Sequence, residues 1–267
     1  MADEDKIVVA TSVFREGAEW REMEERIRER TPARLMEGRA GASYRTATQL
    51  QLRADHAAAR DAVQAELDLS AHLGQGFLSR WGIFEVSTEA KTKAEYLLRP
   101  DLGRRFDEAA RSAIGELCPH GCKLQIAIGD GLSVKAVSAQ VPALLPLLMA
   151  GADERGWQTG RTFAIRHCRV GVMNEIGELL MPSAVVLLVG ERPGLATAES
   201  LSAYLAYRPR AGHSDAQRNL VSNIHAKGVA TAEAAARILK LVEAMFQERT
   251  SGVHLKEELQ AGRQIVE

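Results

Sequence analysis

Apolar positions fall into two kinds of run along this chain. The stretch Ala184-Val185-Val186-Leu187-Leu188-Val189 is apolar without a break, which suits a strand covered on both faces at the centre of a parallel sheet. Leu124-Gln125-Ile126-Ala127-Ile128 is a short apolar, β-prone run that also reads as a strand. Thr162 to Arg166, Val170 to Met173, Trp81 to Val86 and Glu95 to Leu98 read as shorter strands. Between these runs the apolar spacing becomes helical. Arg104 to Leu117 and the Ala/Leu-rich stretch from Ser133 to Met149 are predicted helices, Asn174 to Leu180 a helical turn, and Thr231 to Arg249 a long closing helix. That last helix carries Ala235, Ile238, Leu239, Val242 and Met245 along one face. Ser200 to Tyr207 fits either helix or strand. Near the start, Glu16 to Glu29 sets opposite charges three or four residues apart, as on a solvated helix, and Leu50 to Leu67 is an alanine-rich helix.

Strand and helix in alternation predict an α/β fold: a Rossmann-like open, mostly parallel sheet over residues 71–267, preceded by an N-terminal helical extension over residues 1–70. Ligands of such sheets bind outside the carboxyl ends of the strands. Two glycine turns should lie there, Gly129-Asp130-Gly131-Leu132-Ser133 and Gly190-Glu191-Arg192-Pro193-Gly194. The first only superficially matches a dinucleotide fingerprint, because Val134 stands at the third glycine position and Asp130 would repel a pyrophosphate. In the second, Glu191 is an acceptor at the rim and suits a ligand edge rich in N–H donors such as amides. The alternative is that Glu191 pairs with Arg192 or another arginine and only shapes its loop.

Charge and composition narrow the function classes. Thirty-four Lys and Arg stand against 35 Asp and Glu, a net charge of −1, which offers no cationic field for nucleic acid. The longest uncharged apolar run, Val141 to Ala152, is short for a bilayer and holds two prolines, and the acidic start is unlike a secretory signal. Three cysteines do not make a disulfide framework, so a soluble protein of the reducing cytosol is expected. Cys118, His120 and Cys122 invite a metal, but the paired spacings of a structural zinc site are missing, and a turn at Pro119 and Gly121 is the better reading. Arg34, Arg39, Arg45, Arg53 and Arg60 make the extension the most basic part of the chain, either as a partner surface or as ordinary solvated surface. No catalytic constellation is evident: there is no His-x-x-x-His pair, no Gly-x-Ser-x-Gly elbow and no Walker-type loop.

Several strings occur together in one order: Gly38-Arg39-Ala40-Gly41, Arg99-Pro100-Asp101-Leu102-Gly103-Arg104-Arg105, Asp130-Gly131-Leu132-Ser133, Gly190-Glu191-Arg192-Pro193-Gly194-Leu195, Glu199-Ser200-Leu201-Ser202-Ala203-Tyr204 and Ser222-Asn223-Ile224. In this combination the chain resembles the small (light) chain of ethanolamine ammonia-lyase over roughly residues 31 to 255. The resemblance implies a lyase, dependent on adenosylcobalamin, that converts ethanolamine to acetaldehyde and ammonia and is assembled as a hetero-oligomer of large and small chains. The corrinoid would lie between the two, no catalytic residue and no metal ligand is expected in this chain, and the radical chemistry would belong to the cofactor. Three positions carry over as corrinoid contacts: Val170 in the pair Arg169-Val170, Glu191, and Leu220, which stands where the family often has cysteine. Neither nucleic acid nor a membrane is implied as a partner. The implied localisation is the cytoplasm, with a bacterial microcompartment as a further option. The string Ala42-Ser43-Tyr44-Arg45 departs from the family's prolines and arginines. Asp55-His56 has the wrong order for a histidine that would replace the corrinoid's own base. Two other readings stand beside this one: a purely structural assembly chain, and a nucleotide-binding oxidoreductase built on Gly129-Asp130-Gly131.

Overall fold

The computed structural model describes residues 18–30, 35, 37, 39–194 and 196–257. Arg34, Gly38 and Leu195, and the residues before Ala18, lie outside the described residues. The chain divides into two compact units: the residues up to Ala59 with the segment Gly194–Thr197, and the remainder from Arg60 onward. In the first unit, α1 (Ala18–Arg30) is followed by a two-residue hairpin, β1 (Arg39–Ala40) against β2 (Ser43–Tyr44), and by α2 (Thr46–Gln64), which continues past Ala59. Gly41 makes the hairpin turn at φ 62°, a conformation that costs glycine little.

The second unit contains, in chain order, α3 (Leu69–Leu73), α4 (Gln75–Trp81), β3 (Phe84–Ser87), α5 (Lys93–Leu98), α6 (Glu108–Leu117), β4 (Leu124–Gly129), α7 (Val134–Glu154), β5 (Phe163–Arg166), α8 (Met173–Leu180), β6 (Ala184–Gly190), β7 (Leu201–Tyr207), β8 (Asn219–Ile224) and α9 (Thr231–Glu248). Among the described residues the strands form one open six-stranded sheet in the order β3-β5-β4-β6-β7-β8. The first four run parallel, while β7 pairs antiparallel with β6 and β8 antiparallel with β7. The expected α/β fold, an open and mostly parallel sheet, is therefore the observed one.

Alternation along the strands builds a core on each face. Ile126 and Ile128 of β4 and Val186 and Leu188 of β6 pack with Val137, Leu144 and Leu148 of α7 and Ile238 and Val242 of α9. The intervening Ala127, Val185 and Leu187 face the other way, against Ile114 of α6 and Met173 and Ile176 of α8. Both runs sit in the middle of the sheet and are buried on both sides, which is why Gln125 is their one polar side chain, with its Nε2 donating to the Ile126 and Arg161 carbonyls. The run Val141 to Ala152 lies in α7. By length and apolar composition alone α7 could cross a bilayer. Here its apolar residues fill the core beneath the sheet.

Two short elements correct the sequence reading. Glu95 to Leu98, expected as a strand, belongs to helix α5, because the Thr92 side chain accepts from the Glu95 amide and caps it. Val170 to Met173, also expected as a strand, is a single 3-10 turn, Val170–Val172, that runs into α8. The ambiguous segment Ser200 to Tyr207 holds strand β7, which begins at Leu201. The helix expected from Arg104 begins only at Glu108, where the Asp107 side chain accepts from the Ala110 amide. Partial burial pushes the Asp107 carboxyl up, but the Ala110 amide and Lys91 outweigh it and hold the group below its usual 3.8. A depressed value means that its stabilisation is present at neutral pH and is lost as the pH falls through that value. Asp107→Ala should cost about 1 kcal/mol in urea denaturation at pH 7, and the deficit should shrink in acid. A deficit unchanged at low pH would rule out the charged cap.

Candidate functional site

The carboxyl ends of β4, β5 and β6 meet at one edge, and backbone seals them together. A Cβ on Gly131, at φ 57°, would lie 2.2 Å from the Gly190 carbonyl oxygen, and one on Gly190 would lie 2.0 Å from that of Ser133. Gly131 and Gly190 thus let the two turns touch each other, with the Leu132 amide donating to the Gly190 carbonyl at 3.0 Å. Asp130 points inward. It is fully buried and accepts from the amides of His167 and Cys168, each at 2.8 Å. A dinucleotide needs that turn open to receive its pyrophosphate. Here the neighbouring strand end occupies the space, so the first turn is an internal fastening.

Glu191 directly follows β6, and its side chain bonds to Ser200, Ser202 and Asn223, not to Arg192. Its Oε2 accepts from the Ser200 hydroxyl at 2.6 Å, and its Oε1 accepts from the Ser202 hydroxyl at 2.6 Å and the Asn223 amide at 2.8 Å. One carboxylate thereby ties the ends of β6, β7 and β8. Asn223 donates from a left-handed backbone at φ 62°, and its Oδ1 lies 2.7 Å from His225 Nε2.

Val170 and Leu220 fall on the same face of the sheet as this clamp. In β7, Leu201, Ala203 and Leu205 belong to the core beneath α7 and α9, so Ser202 and Tyr204 point to the α8 face. Leu220 is the register partner of Tyr204 and is 43% exposed. Val170, half-buried in its 3-10 turn, packs against the same core as Tyr204. Ser202 and Tyr204 are therefore the residues around which all three carried-over positions gather. Sequence reasoning had no role for either, although their two-residue spacing places them on one face once the segment is a strand.

Beside them opens a cleft of about 930 Å³ lined by Val170 and Tyr204 and by Arg104, Arg169, His213 and Arg218, among others. Glu191 and Leu220 lie outside its lining. Arg218 is held by Asp215 and donates to the Asn174 side chain at 2.9 Å, and Arg169 stacks over the Tyr96 ring at 4.2 Å. Arg169 Nε, Arg218 Nε and His213 Nδ1 are buried without a hydrogen-bond partner among the described residues. Burial and the two neighbouring arginines, Arg210 and Arg218, push the His213 pKa down, which favours neutral imidazole. The cleft thus offers arginine donors at its edge and an aromatic and aliphatic wall. Elsewhere, Cys118 and Cys122 are buried thiols at a turn where Gly121 sits at φ 70°, and burial raises Cys118 to about 11. Among the described residues no three His, Cys, Asp or Glu side chains group as a metal site.

Comparison with known proteins agrees in one direction. Residues 21–256 match the family model described as "Ethanolamine ammonia-lyase light chain (EutC)". A Clostridium perfringens protein named "Ethanolamine ammonia-lyase small subunit" is 44% identical over 227 residues, 85% of this chain and 75% of its own length. Proteins of the same name from Clostridioides difficile and Listeria monocytogenes are 43% and 41% identical over 85% and 86% of this chain, covering 75% and 77% of their own lengths.

Proposed function

This chain belongs to the ethanolamine ammonia-lyase light-chain family, and we propose that it is the component of that lyase complex which holds one side of an adenosylcobalamin against the large subunit. The observation that carries this reading is the gathering of Val170, Glu191 and Leu220 on one face around Ser202 and Tyr204. The donor set fits a corrinoid. Leu220 presents apolar surface that does not need a thiol to make contact, and Glu191 keeps acceptor capacity for an amide N–H. The orphan Arg169 Nε and Arg218 Nε can donate to an acceptor on the ligand. When bound, the cofactor supplies homolytic chemistry. The residues of this chain orient it and exclude water from its rim; the acid and base that act on ethanolamine belong to the large subunit.

The test is ethanolamine-dependent acetaldehyde formation with added adenosylcobalamin, comparing coexpressed chains with each chain alone. Activity in the mixture only is expected; full activity from the large subunit alone would sink the proposal. Glu191→Ala in the complex should weaken cobalamin binding by about tenfold, the worth of a hydrogen bond to a charged group. A second reading, an assembly chain that touches no cofactor, draws on the three internal donors that Glu191 already accepts. An unchanged cobalamin affinity in Glu191→Ala would favour it.

A further inference from the structure

We propose that Glu191 reads a single N–H donor on its ligand and so distinguishes an amidated corrin side chain from one that ends in a carboxylate; this rests on the corrinoid reading above. An ionised carboxylate offers about four acceptor positions, two on each oxygen. The Ser202 hydroxyl and the Asn223 amide occupy both positions on Oε1, and the Ser200 hydroxyl occupies one on Oε2. One position remains, on Oε2. The carboxylate cannot swing to expose more, because its three donors come from the start of β7 and from β8, and β7 is paired with β6 on one side and with β8 on the other. Asn223 is itself confined: a Cβ on Gly228 would meet its carbonyl oxygen at 2.3 Å.

A primary amide brings an N–H to that position. A carboxylate at the same place brings only lone pairs and a second negative charge, and like charges repel. The selection is therefore for donor over acceptor at one atom of the ligand. It also dictates what glutamine would do at position 191. The Asn223 amide is a fixed donor, so the glutamine oxygen must take the Oε1 place and its nitrogen the Oε2 place. The Ser200 hydroxyl can rotate to accept one N–H. The other N–H then faces the ligand, so that an amide N–H meets a donor and a carboxylate is welcomed.

The experiment titrates the complex, assembled with its large subunit, with cyanocobalamin and with each of its purified monocarboxylic acid isomers, followed by absorbance. Wild type should bind one isomer about tenfold more weakly than the parent, and Glu191→Gln should erase or invert that preference for the same isomer. Should Glu191→Gln fold poorly, the wild-type complex alone carries the comparison: at the same side chain the N-methylamide, with one N–H, should bind about tenfold more tightly than the near-isosteric methyl ester, with none. Equal binding of all isomers, an unchanged preference in a folded Glu191→Gln complex, or equal binding of ester and N-methylamide overturns the inference. If Glu191→Ala weakens cobalamin while no such discrimination exists, the corrinoid reading stands and only this inference falls. If Glu191→Ala leaves cobalamin affinity unchanged, both fall.

Discussion

Asp130→Ala should destabilise the fold by about 2–6 kcal/mol, the cost of leaving two buried amide N–H groups without an acceptor at about 1–3 kcal/mol each. Asp130 is wholly buried at the end of β4, and its two oxygens accept from two successive amides of the β5 exit, His167 and Cys168. Burial pushes its carboxyl pKa up; Lys93 and those two amides oppose this. Lys93 is buried too, with its Nζ 3.4 Å from the Gly131 carbonyl oxygen and 5.0 Å from the Tyr96 ring centroid, and burial lowers its pKa. Alanine would strand two buried N–H groups and deprive a buried lysine of its countercharge. His167 holds a left-handed backbone at φ 57° here, so the freed segment would also lose what keeps it in that conformation. Urea denaturation at pH 7 measures the loss. A deficit under about 1 kcal/mol would mean that the glycine contacts alone hold the edge. Asp130→Asn, which keeps one acceptor, should lose less than the alanine variant.

The second large effect belongs to Gly190→Ala. The new methyl would sit 2.0 Å from the Ser133 carbonyl oxygen and 2.7 Å from that of Asp130, both backbone atoms of the turn that starts α7. Backbone cannot rotate away as a side chain would, so β6 and the β4 turn must separate. Forced overpacking of this kind costs about 3 kcal/mol or more. Glu191 follows directly in the chain, so its clamp to Ser200, Ser202 and Asn223 would shift with it, and cobalamin binding by the complex should fall even where the variant folds. Melting temperature and a cobalamin titration report the two effects separately. Gly115→Ala in α6, where a methyl meets nothing within 4 Å, is the control and should leave both unchanged or raise stability slightly. Equal behaviour of the two variants would remove the argument for contact between the turns.

Much of the architecture was legible because burial on both faces leaves a local mark. Residues 124–128 and 184–189 carry almost no polar side chain, and both proved to be central strands. The long amphipathic face of α9 was equally plain. Short elements were not. Tyr96, Leu97 and Leu98 look β-prone, but one capping threonine at position 92 is enough to start a helix, and β8 went unrecognised because only Val221 and Ile224 of its six residues are buried.

The site divides in the same way. The sequence by itself determined the family, the two central strands and the placing of two glycine turns after them, since each rests on residue order and near-neighbour spacing. Tertiary structure alone decided what the turns do. Asp130 finds its partners 37 and 38 residues away, and Glu191 finds Asn223 32 residues away on a strand two places across the sheet. A carboxylate in a glycine turn is locally the same residue in both cases. Whether it turns inward to fasten backbone or stays at the rim with one acceptor position left depends on which donors the sheet brings to it, and a sheet assembles those donors from distant parts of the chain.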